Sequence, residues 1–181
     1  MRKIRPSRWA LTALYATLLA ILCACGQAPA PHTTKPEESR AAKDAETLAA
    51  TSSGGRYDLA RDEERGGHTL KKHLGRSDRQ LEERLYHERN ISAASTWSDL
   101  HVAETTVAAA LRAERGRVES WIRRGYPRAN LALHYDAGHV IGRSLRRGDT
   151  HTVDCTAAVI VLRADGPDSF YVLTTYPEAR E

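Results

Sequence analysis

The chain has 181 residues, a length typical of one domain with appended segments. Its formal net charge of +4 at pH 7 permits a polyanionic ligand but does not require one. With only three cysteines, the sequence excludes a disulfide-rich scaffold, so the fold must depend on an apolar core.

The first 25 residues predict an export signal. Residues 9–24 form a mostly apolar run without a charge, shorter than the roughly 20 residues that cross a bilayer. This run follows four cationic side chains, Arg2, Lys3, Arg5 and Arg8. The pattern favours a signal peptide over 1–25, with an uncleaved N-terminal anchor and plain secretion as the alternatives.

The segment Leu22-Cys23-Ala24-Cys25 resembles a bacterial lipobox. It predicts that Cys25 is lipidated and that the protein is exported and anchored to the cell envelope. Gly26 stands where an aspartate would favour retention in the inner membrane, so the outer membrane is favoured. Cys155 then remains as a thiol, and its strand-like surroundings predict a buried apolar role, with a catalytic thiol as the alternative.

Removal of the signal changes the charge balance. Residues 26–181 carry 23 basic and 23 acidic side chains, and 65–181 carry an excess of three positive charges. Residues 26–63 predict a flexible linker, because they are rich in Pro, Ala and polar residues and contain a Ser-Gly hinge. A compact domain is predicted over 64–181, with its start expected between 57 and 66.

The first half of this domain has the sequence pattern of helices. A short helix ends at Gly75, the segment from Ser77 to Gln80 resembles a capping box, and Ser98 can cap a third helix. In the third helix, apolar residues at helical spacing predict an inward face. The predicted helices cover 69–74, 77–88, 98–114 and 117–124.

The second half changes to a period of two, which indicates strands. The predicted strands cover 131–135, 140–146, 153–163 and 170–176. The third is almost wholly apolar and is expected at the centre of a sheet, and a turn at 165–168 joins it to the last strand in a hairpin. Helices first and strands later predict an α+β fold, with N-terminal helices packed on a C-terminal antiparallel sheet.

The last predicted strand carries two hydroxyls on one face. Thr174 and Tyr176 are two residues apart, and alternate side chains of an extended strand point the same way. A histidine and several cations lie about a hundred residues upstream, in the segment from Gly66 to Gly75 that contains His68 and His73. A proton carrier, cations and fixed hydroxyls are the groups that metal-free cleavage of a phosphodiester needs.

Four segments share their order and spacing with a known family pattern. They are Gly67-His68-Thr69-Leu70-Lys71-Lys72-His73-Leu74-Gly75, Leu81-Glu82-Glu83-Arg84-Leu85, Ala94-Ser95-Thr96-Trp97 and Leu173-Thr174-Thr175-Tyr176-Pro177. Over residues 64–177 the chain thereby resembles the RNase A-like toxin domain at the C-terminus of bacterial contact-dependent inhibition proteins. The resemblance implies an RNase A-like fold and ribonuclease activity.

The resemblance also implies a catalytic set, His73, Arg84, Thr174 and Tyr176. RNA supplies its own nucleophile, because a base can remove the proton of the ribose 2′-OH and the oxygen then attacks phosphorus. An imidazole, with an ordinary pKa of about 6.5, suits this proton transfer. The guanidinium would hold the phosphate and its developing charge, and the hydroxyls would orient an oxygen or donate a proton.

Each member of this set also has a purely structural interpretation. His73 could cover the end of its helix, and Arg84 could form ordinary ion pairs with nearby glutamates. Thr174 could be a routine strand residue, and Tyr176 could lie at the edge of the core.

Two further residues, His68 and Lys72, are auxiliary candidates. The implied catalytic set contains a single histidine, whereas the vertebrate enzyme that names the fold uses a pair. The second proton transfer therefore falls to Tyr176, His68, water or no group.

No metal or cofactor is expected, because the eight histidines show no zinc-ligand spacing. Two arginine clusters could contact RNA phosphates, although solvated faces are the ordinary alternative. These clusters are Arg123-Arg124 and Arg143, Arg146, Arg147.

The leading hypothesis is a metal-independent endoribonuclease toxin domain, exported and lipid-anchored, that leaves 2′,3′-cyclic phosphate ends. Its expected partners are an RNA substrate, a cognate immunity protein and the membrane, and the protein is expected to be a monomer. One alternative is a non-enzymatic envelope lipoprotein that uses the same fold for binding. Another is a signal-anchored precursor whose toxic domain is released by proteolysis in the linker.

Overall fold

The computed structural model describes residues 55–180. The predicted signal peptide, Cys25 and the linker up to residue 54 lie outside the described residues. The helices are α1 (Leu59–Glu64), α2 (Thr69–His73), α3 (Asp78–His87), α4 (Leu100–Ala113) and α5 (Arg115–Ile122). The strands are β1 (Ala93–Trp97), β2 (Leu131–Asp136), β3 (Gly142–Arg146), β4 (Val153–Cys155), β5 (Ala157–Ala164) and β6 (Phe170–Glu178).

The strands form two antiparallel sheets of three strands each. Sheet 1 has the order β1-β3-β4, and sheet 2 has the order β2-β5-β6. Across sheet 2, Leu133 pairs with Ile160, and Ile160 pairs with Thr175. The predicted α+β class is confirmed, and β5 is central in its sheet as expected.

The main core includes helix α4 and sheet 2. Val107 and Leu111 of the helix belong to the same buried apolar cluster as Leu133, Ile160 and Leu162 of the sheet. The inward face predicted for α4 is thus confirmed. A smaller cluster packs α3 against sheet 1 and consists of Leu81, Leu85, Ala94 and Leu145. Each fully buried leucine contributes about 2 kcal/mol, so both faces matter to stability.

The compact part of the chain includes residues from 57 onwards, at the early end of the range expected for its start. Tyr57 and Leu59 are buried in the main core. The buried carboxylate of Asp62 accepts hydrogen bonds from the Tyr57 hydroxyl and from the Val172 amide, each at 2.6 Å. Residues 57–63, placed in the linker by the bound at 64, thus supply core side chains and buried hydrogen bonds to the domain, and the start at 57 lies within the expected range of 57–66.

The starts of two helices test the capping predictions. The Ser77 hydroxyl accepts the Gln80 amide at 3.3 Å, and the Gln80 side chain accepts the Ser77 amide at 2.9 Å, which confirms the capping box. Helix α4 begins after Asp99, whose carboxylate accepts an amide of the first turn at 2.8 Å. The prediction of Ser98 as this cap is wrong, because Asp99 occupies the cap position. Ser98 lies one residue earlier, where its amide donates to the Ile141 carbonyl at 3.0 Å and extends the pairing of sheet 1. No helix within 55–180 is long and apolar enough to cross a membrane.

One strand prediction is wrong in detail, and one strand is missing from the predictions. The apolar run 153–163 divides at Thr156, so that β4 joins sheet 1 and β5 joins sheet 2. The Thr156 carbonyl accepts the Ala137 amide at 2.8 Å, which holds the chain where it crosses between the sheets. Strand β1 was not predicted, because four of its five residues are consecutive and buried and therefore show no alternation. Its place between α3 and α4 also interrupts the predicted order of helices first and strands later.

Cys155 is buried, as predicted from its surroundings. Burial is the main cause that raises the pKa of its thiol to about 11, with Asp154 adding to the effect. The thiol is therefore protonated at neutral pH and is a weak nucleophile.

Candidate active site

Strand β6 contains an irregularity beside the predicted pair of hydroxyls. Its register against β5 shifts, which leaves Leu173 as an extra residue in a β-bulge. A bulge re-aims the side chains that follow it. Thr174 and Tyr176 line a cavity, whereas the Thr175 hydroxyl donates to the Val159 carbonyl of β5 at 2.8 Å.

Helix α2 is hydrogen-bonded to the bulged strand. The His68 amide donates to the Leu173 carbonyl at 3.0 Å, and the Thr175 amide donates to the Thr69 hydroxyl oxygen at 3.0 Å. Both hydrogen bonds join the start of α2 to β6. They therefore fix His73, the last residue of α2, relative to the hydroxyls of the strand.

The residues before α2 allow this close junction. A Cβ atom at Gly67 would lie 2.8 Å from the Asp62 carbonyl oxygen and 2.9 Å from the Val172 carbonyl oxygen, so only glycine fits. The Glu63 carboxylate accepts two amides of the first turn of α2, each at 3.0 Å. This acidic cap satisfies backbone donors that a helix start leaves without partners.

His73 is buried between β1 and β6. Its Nδ1 lies 3.2 Å from the Ser95 carbonyl oxygen, and its ring stacks on Tyr176 with a centroid distance of 5.2 Å. A carbonyl oxygen can only accept, so Nδ1 carries the proton and Nε2 keeps its lone pair in the neutral ring. Burial, and then the charge of Arg84, lower the pKa of His73 to about 3.

Arg84 of α3 is held by contacts with the backbone of α2 and with the residue that follows α3. Its Nη1 donates to the Lys72 carbonyl at 3.3 Å, and its Nε donates to Glu88 Oε1 at 3.3 Å. The Lys72 ammonium lies 3.8 Å from the same glutamate oxygen. The structure thus directs the Lys72 side chain to Glu88, and the cavity lining does not include it.

The predicted catalytic set lines one cavity of about 660 Å³. Its lining includes all four residues of that set together with His68. The rest of the lining comes from the loop after α3, from β1 and β3, and from the end of β6, and among these residues the sequence had indicated only Arg146, as a candidate phosphate contact. These additional residues are Asn90, Ile91, Ser92, Ala93, Ser95, Ser144, Arg146, Pro177, Glu178 and Ala179. The segment around Ser95 belonged to the family resemblance, but that resemblance assigned it no role.

The Thr174 hydroxyl is buried, and within residues 55–180 it has no hydrogen-bond partner. A buried hydroxyl without a partner costs about 1–3 kcal/mol, so folding alone does not account for it. Because Thr174 borders the cavity, a ligand oxygen bound there can supply the missing partner.

The protonation states of the other groups follow from their surroundings. Burial, and then the charge of Lys72, lower the pKa of His68. Burial and Glu178 raise the pKa of Tyr176. At neutral pH the site therefore holds two mainly neutral imidazoles, a protonated phenol and the Arg84 cation. Such a site can accept one proton, donate another and stabilise an anion.

The arginine clusters singled out in the sequence separate in the fold. Arg146 lines the cavity, whereas Arg143 pairs with Asp78 at 2.7 Å. Arg123 and Arg124 are exposed and lie outside the cavity lining. In the part of the chain that the structure describes, no three His, Cys, Asp or Glu side chains group as metal ligands do.

Comparison with known families identifies the domain that carries this cavity. A family model described as the bacterial CdiA-CT RNAse A domain matches residues 67–177. The chain belongs to this family. Residues 67–177 are thus an RNase A-like toxin domain, and the resemblance predicted from the sequence is confirmed. Helix α1 precedes the matched residues but is part of the same fold.

A solved structure with the same fold is described as the crystal structure of a CdiA-CT/CdiI complex from Y. kristensenii 33638. It is 27% identical to this chain, and the TM-score is 0.56. The match covers 62% of this chain and 100% of that chain. The comparison with curated proteins found no match.

The buried state of His73 predicts a specific dependence of stability on pH. Unfolding restores an ordinary pKa of about 6.5, so between pH 6.5 and 3 the unfolded chain binds more protons than the folded domain. Above pH 6.5, His73 is neutral in both states and does not make stability depend on pH. As the pH falls below 6.5, the free energy of unfolding decreases, by about 2 kcal/mol at pH 5. Urea unfolding at pH 7.5 and at pH 5 measures this decrease.

The matched variants are His73→Gln and His87→Gln. His87 is an exposed histidine of α3, so its variant should keep the pH dependence, whereas His73→Gln should reduce it by about 2 kcal/mol. An equal pH dependence in wild type and His73→Gln would show that His73 is not held neutral by the fold.

Proposed function

We propose that the domain is a metal-independent endoribonuclease, in which the ribose 2′-OH attacks the adjacent phosphorus and leaves a 2′,3′-cyclic phosphate. The observation that carries the proposal is the orientation of His73. Its Nδ1 is occupied by the Ser95 carbonyl, so Nε2 is the basic atom, and the ring borders the same cavity as Arg84 and the Thr174 hydroxyl.

In this mechanism His73 removes the proton of the 2′-OH. A base with a pKa of about 3 is weak in the ligand-free protein. A phosphodiester anion bound beside His73 would offset the charge of Arg84, the second cause of the low pKa, and so raise the His73 pKa, although burial would continue to lower it. The base therefore becomes stronger when the substrate is in place.

Arg84 and Thr174 stabilise the phosphorus centre in the proposed reaction. The contacts of Arg84 with Lys72 and Glu88 use Nη1 and Nε, which leaves Nη2 for a phosphoryl oxygen. The Thr174 hydroxyl supplies a second donor, and that bond also relieves its unsatisfied state. Both interactions strengthen as negative charge develops on the equatorial oxygens, which is how they lower the barrier.

The departing 5′ oxygen needs a proton donor. Tyr176 is protonated at neutral pH, since the ordinary pKa of a phenol is about 10 and burial and Glu178 raise the pKa of this one further. His68 borders the same cavity, but its lowered pKa makes it mainly neutral at pH 7. Tyr176 is therefore the better proton donor, and His68 is proposed to assist in binding.

We further propose an RNA substrate, a cognate immunity protein and a monomeric toxin domain. The solved relative is described as a complex of a CdiA-CT with CdiI, which supports a protein partner for this chain.

The central test is RNA degradation by the purified full chain in EDTA. Wild type should cleave a labelled oligoribonucleotide and release 2′,3′-cyclic phosphate ends that mass spectrometry detects. His73→Ala should abolish cleavage because it removes the base, whereas His87→Ala should cleave normally. A cognate immunity protein should inhibit the wild-type reaction.

Several results would contradict this proposal. Equal cleavage by His73→Ala would reject the assigned base, and loss of cleavage in EDTA would reject the metal-independent reaction. RNA binding without cleavage would favour the alternative of a non-enzymatic binding protein. Failure of a candidate immunity protein to bind or inhibit would reject that partner.

Thr174→Val separates the proposed role of its hydroxyl from a structural role. The variant should lower kcat/KM about tenfold, because a donor to a charged phosphate is lost. Its free energy of unfolding should stay equal or rise by about 1 kcal/mol, because a buried hydroxyl without a partner is removed.

Thr175→Val is the matched control, since that hydroxyl bonds Val159 inside sheet 2. Denaturant unfolding should show that it destabilises the domain by about 1 kcal/mol. Full activity in Thr174→Val would remove Thr174 from the mechanism.

We propose that Cys25 attaches the chain to the cell envelope, on the basis of the lipobox-like segment that ends there. Cells that express the full chain should incorporate radiolabelled palmitate into it, and most of the protein should fractionate with membranes. Cys25→Ser should lose the label, whereas Cys155→Ser should keep it. Unlabelled wild-type protein would reject the lipid anchor.

A further inference from the structure

A second cavity adjoins the proposed active site. Its volume is about 450 Å³, and Asn90, Ile91, Ser92 and Arg146 line both cavities. The remaining residues that line the second cavity are Arg89 and Arg147. A ligand that is longer than one nucleotide can therefore extend from the His73 site past the loop 88–92 into this second cavity.

The loop between the two cavities is held in place by Arg147, the residue that follows β3. The Arg147 amide donates to the Ser92 carbonyl at 2.8 Å. The Arg147 guanidinium donates to the Ile91 carbonyl at 2.9 Å and to the Glu88 carbonyl at 3.0 Å. These bonds order the loop before any ligand binds, which reduces the entropic cost of binding.

The second cavity is strongly cationic. Three of the six residues that line it are arginines, and no carboxylate is among these described residues. Arg147 is bound through backbone carbonyls, which leave its positive charge intact. The Arg89 guanidinium lies 5.4 Å from the centre of the Tyr86 ring, a contact that also keeps the charge. Glu178, by contrast, borders the first cavity and not the second.

We propose that this second cavity binds the phosphate of a nucleotide next to the cleaved bond, and that Asn90 and Ser92 bind polar atoms of the intervening nucleotide. The inference rests on the proposed ribonuclease function. Arginine recognises phosphate through charge-assisted hydrogen bonds, and the amide and hydroxyl side chains match the polar edges of a base or sugar. The preferred substrate is therefore an RNA strand with at least one flanking phosphate, and a dinucleoside monophosphate is a poor substrate.

The test compares minimal substrates that differ by one phosphate. The purified full chain is assayed with a dinucleoside monophosphate and with the same molecule carrying one extra phosphate at its 5′ or its 3′ end. One of the two phosphorylated forms should give a kcat/KM about tenfold higher, the effect of one charge-assisted contact. Arg89→Gln should remove most of this gain.

Arg124→Gln is the matched control, because Arg124 is exposed, lies outside the lining of both cavities and makes the same change of charge. Arg124→Gln should keep the increase in kcat/KM that the extra phosphate gives. An equal loss in Arg124→Gln would show a general electrostatic effect and overturn the subsite.

Binding to 2′-O-methyl versions of the substrates separates this inference from the proposed function, because such molecules cannot be cleaved through the 2′-OH. Wild type should bind the form with the flanking phosphate about tenfold more tightly. Arg89→Gln should lower the slope of log Kd against log salt by about 0.7, the value for one lost contact with a single strand.

If wild type cleaves or binds all forms equally, the subsite is overturned, while cleavage itself still supports the proposed function. If wild type cleaves none of them, the proposed function fails. A phosphate-dependent gain in 2′-O-methyl binding would then still support the subsite, and its absence would overturn it.

Discussion

The hydrogen bond from the Thr175 amide to the Thr69 hydroxyl is the contact on which the site depends. It joins positions 106 residues apart in the chain, and beside it the His68 amide donates to the carbonyl of the bulged Leu173. Helix α2 has only five residues, too few to be stable by itself in water. Its attachment to β6 therefore determines where its terminal histidine lies relative to the hydroxyls of the strand.

The site combines features that lower stability with features that suit chemistry. An imidazole is buried beside a guanidinium, which disfavours its protonated form, and the buried Thr174 hydroxyl has no partner within the described residues. A buried hydroxyl without a partner is costly in an interior, a buried imidazole becomes costly when it must be protonated, and such groups concentrate where ligands bind. Here a single phosphodiester anion would satisfy both, because it brings negative charge to the imidazole and an acceptor to the hydroxyl.

Residues outside the matched family range also support the domain. Tyr57 and Leu59 enter the main core, and Asp62 ties α1 to β6 through the Val172 amide. Glu63, which also belongs to α1, caps the start of α2 with its carboxylate. Because α1 contacts both elements that carry the site, its packing contributes to the geometry of the site even though it lines no part of the cavity.

The sequence by itself determined the periodic elements, the capping box at Ser77, the α+β class and the family, because these follow from local patterns and short motifs. It also indicated His73, Arg84, Thr174 and Tyr176, but only the tertiary structure shows that these four residues line one cavity. Only the tertiary structure decided strand β1, the division of 153–163 between two sheets and the bulge at Leu173. Each of these depends on pairing between distant strands, whose partners and register no local pattern specifies.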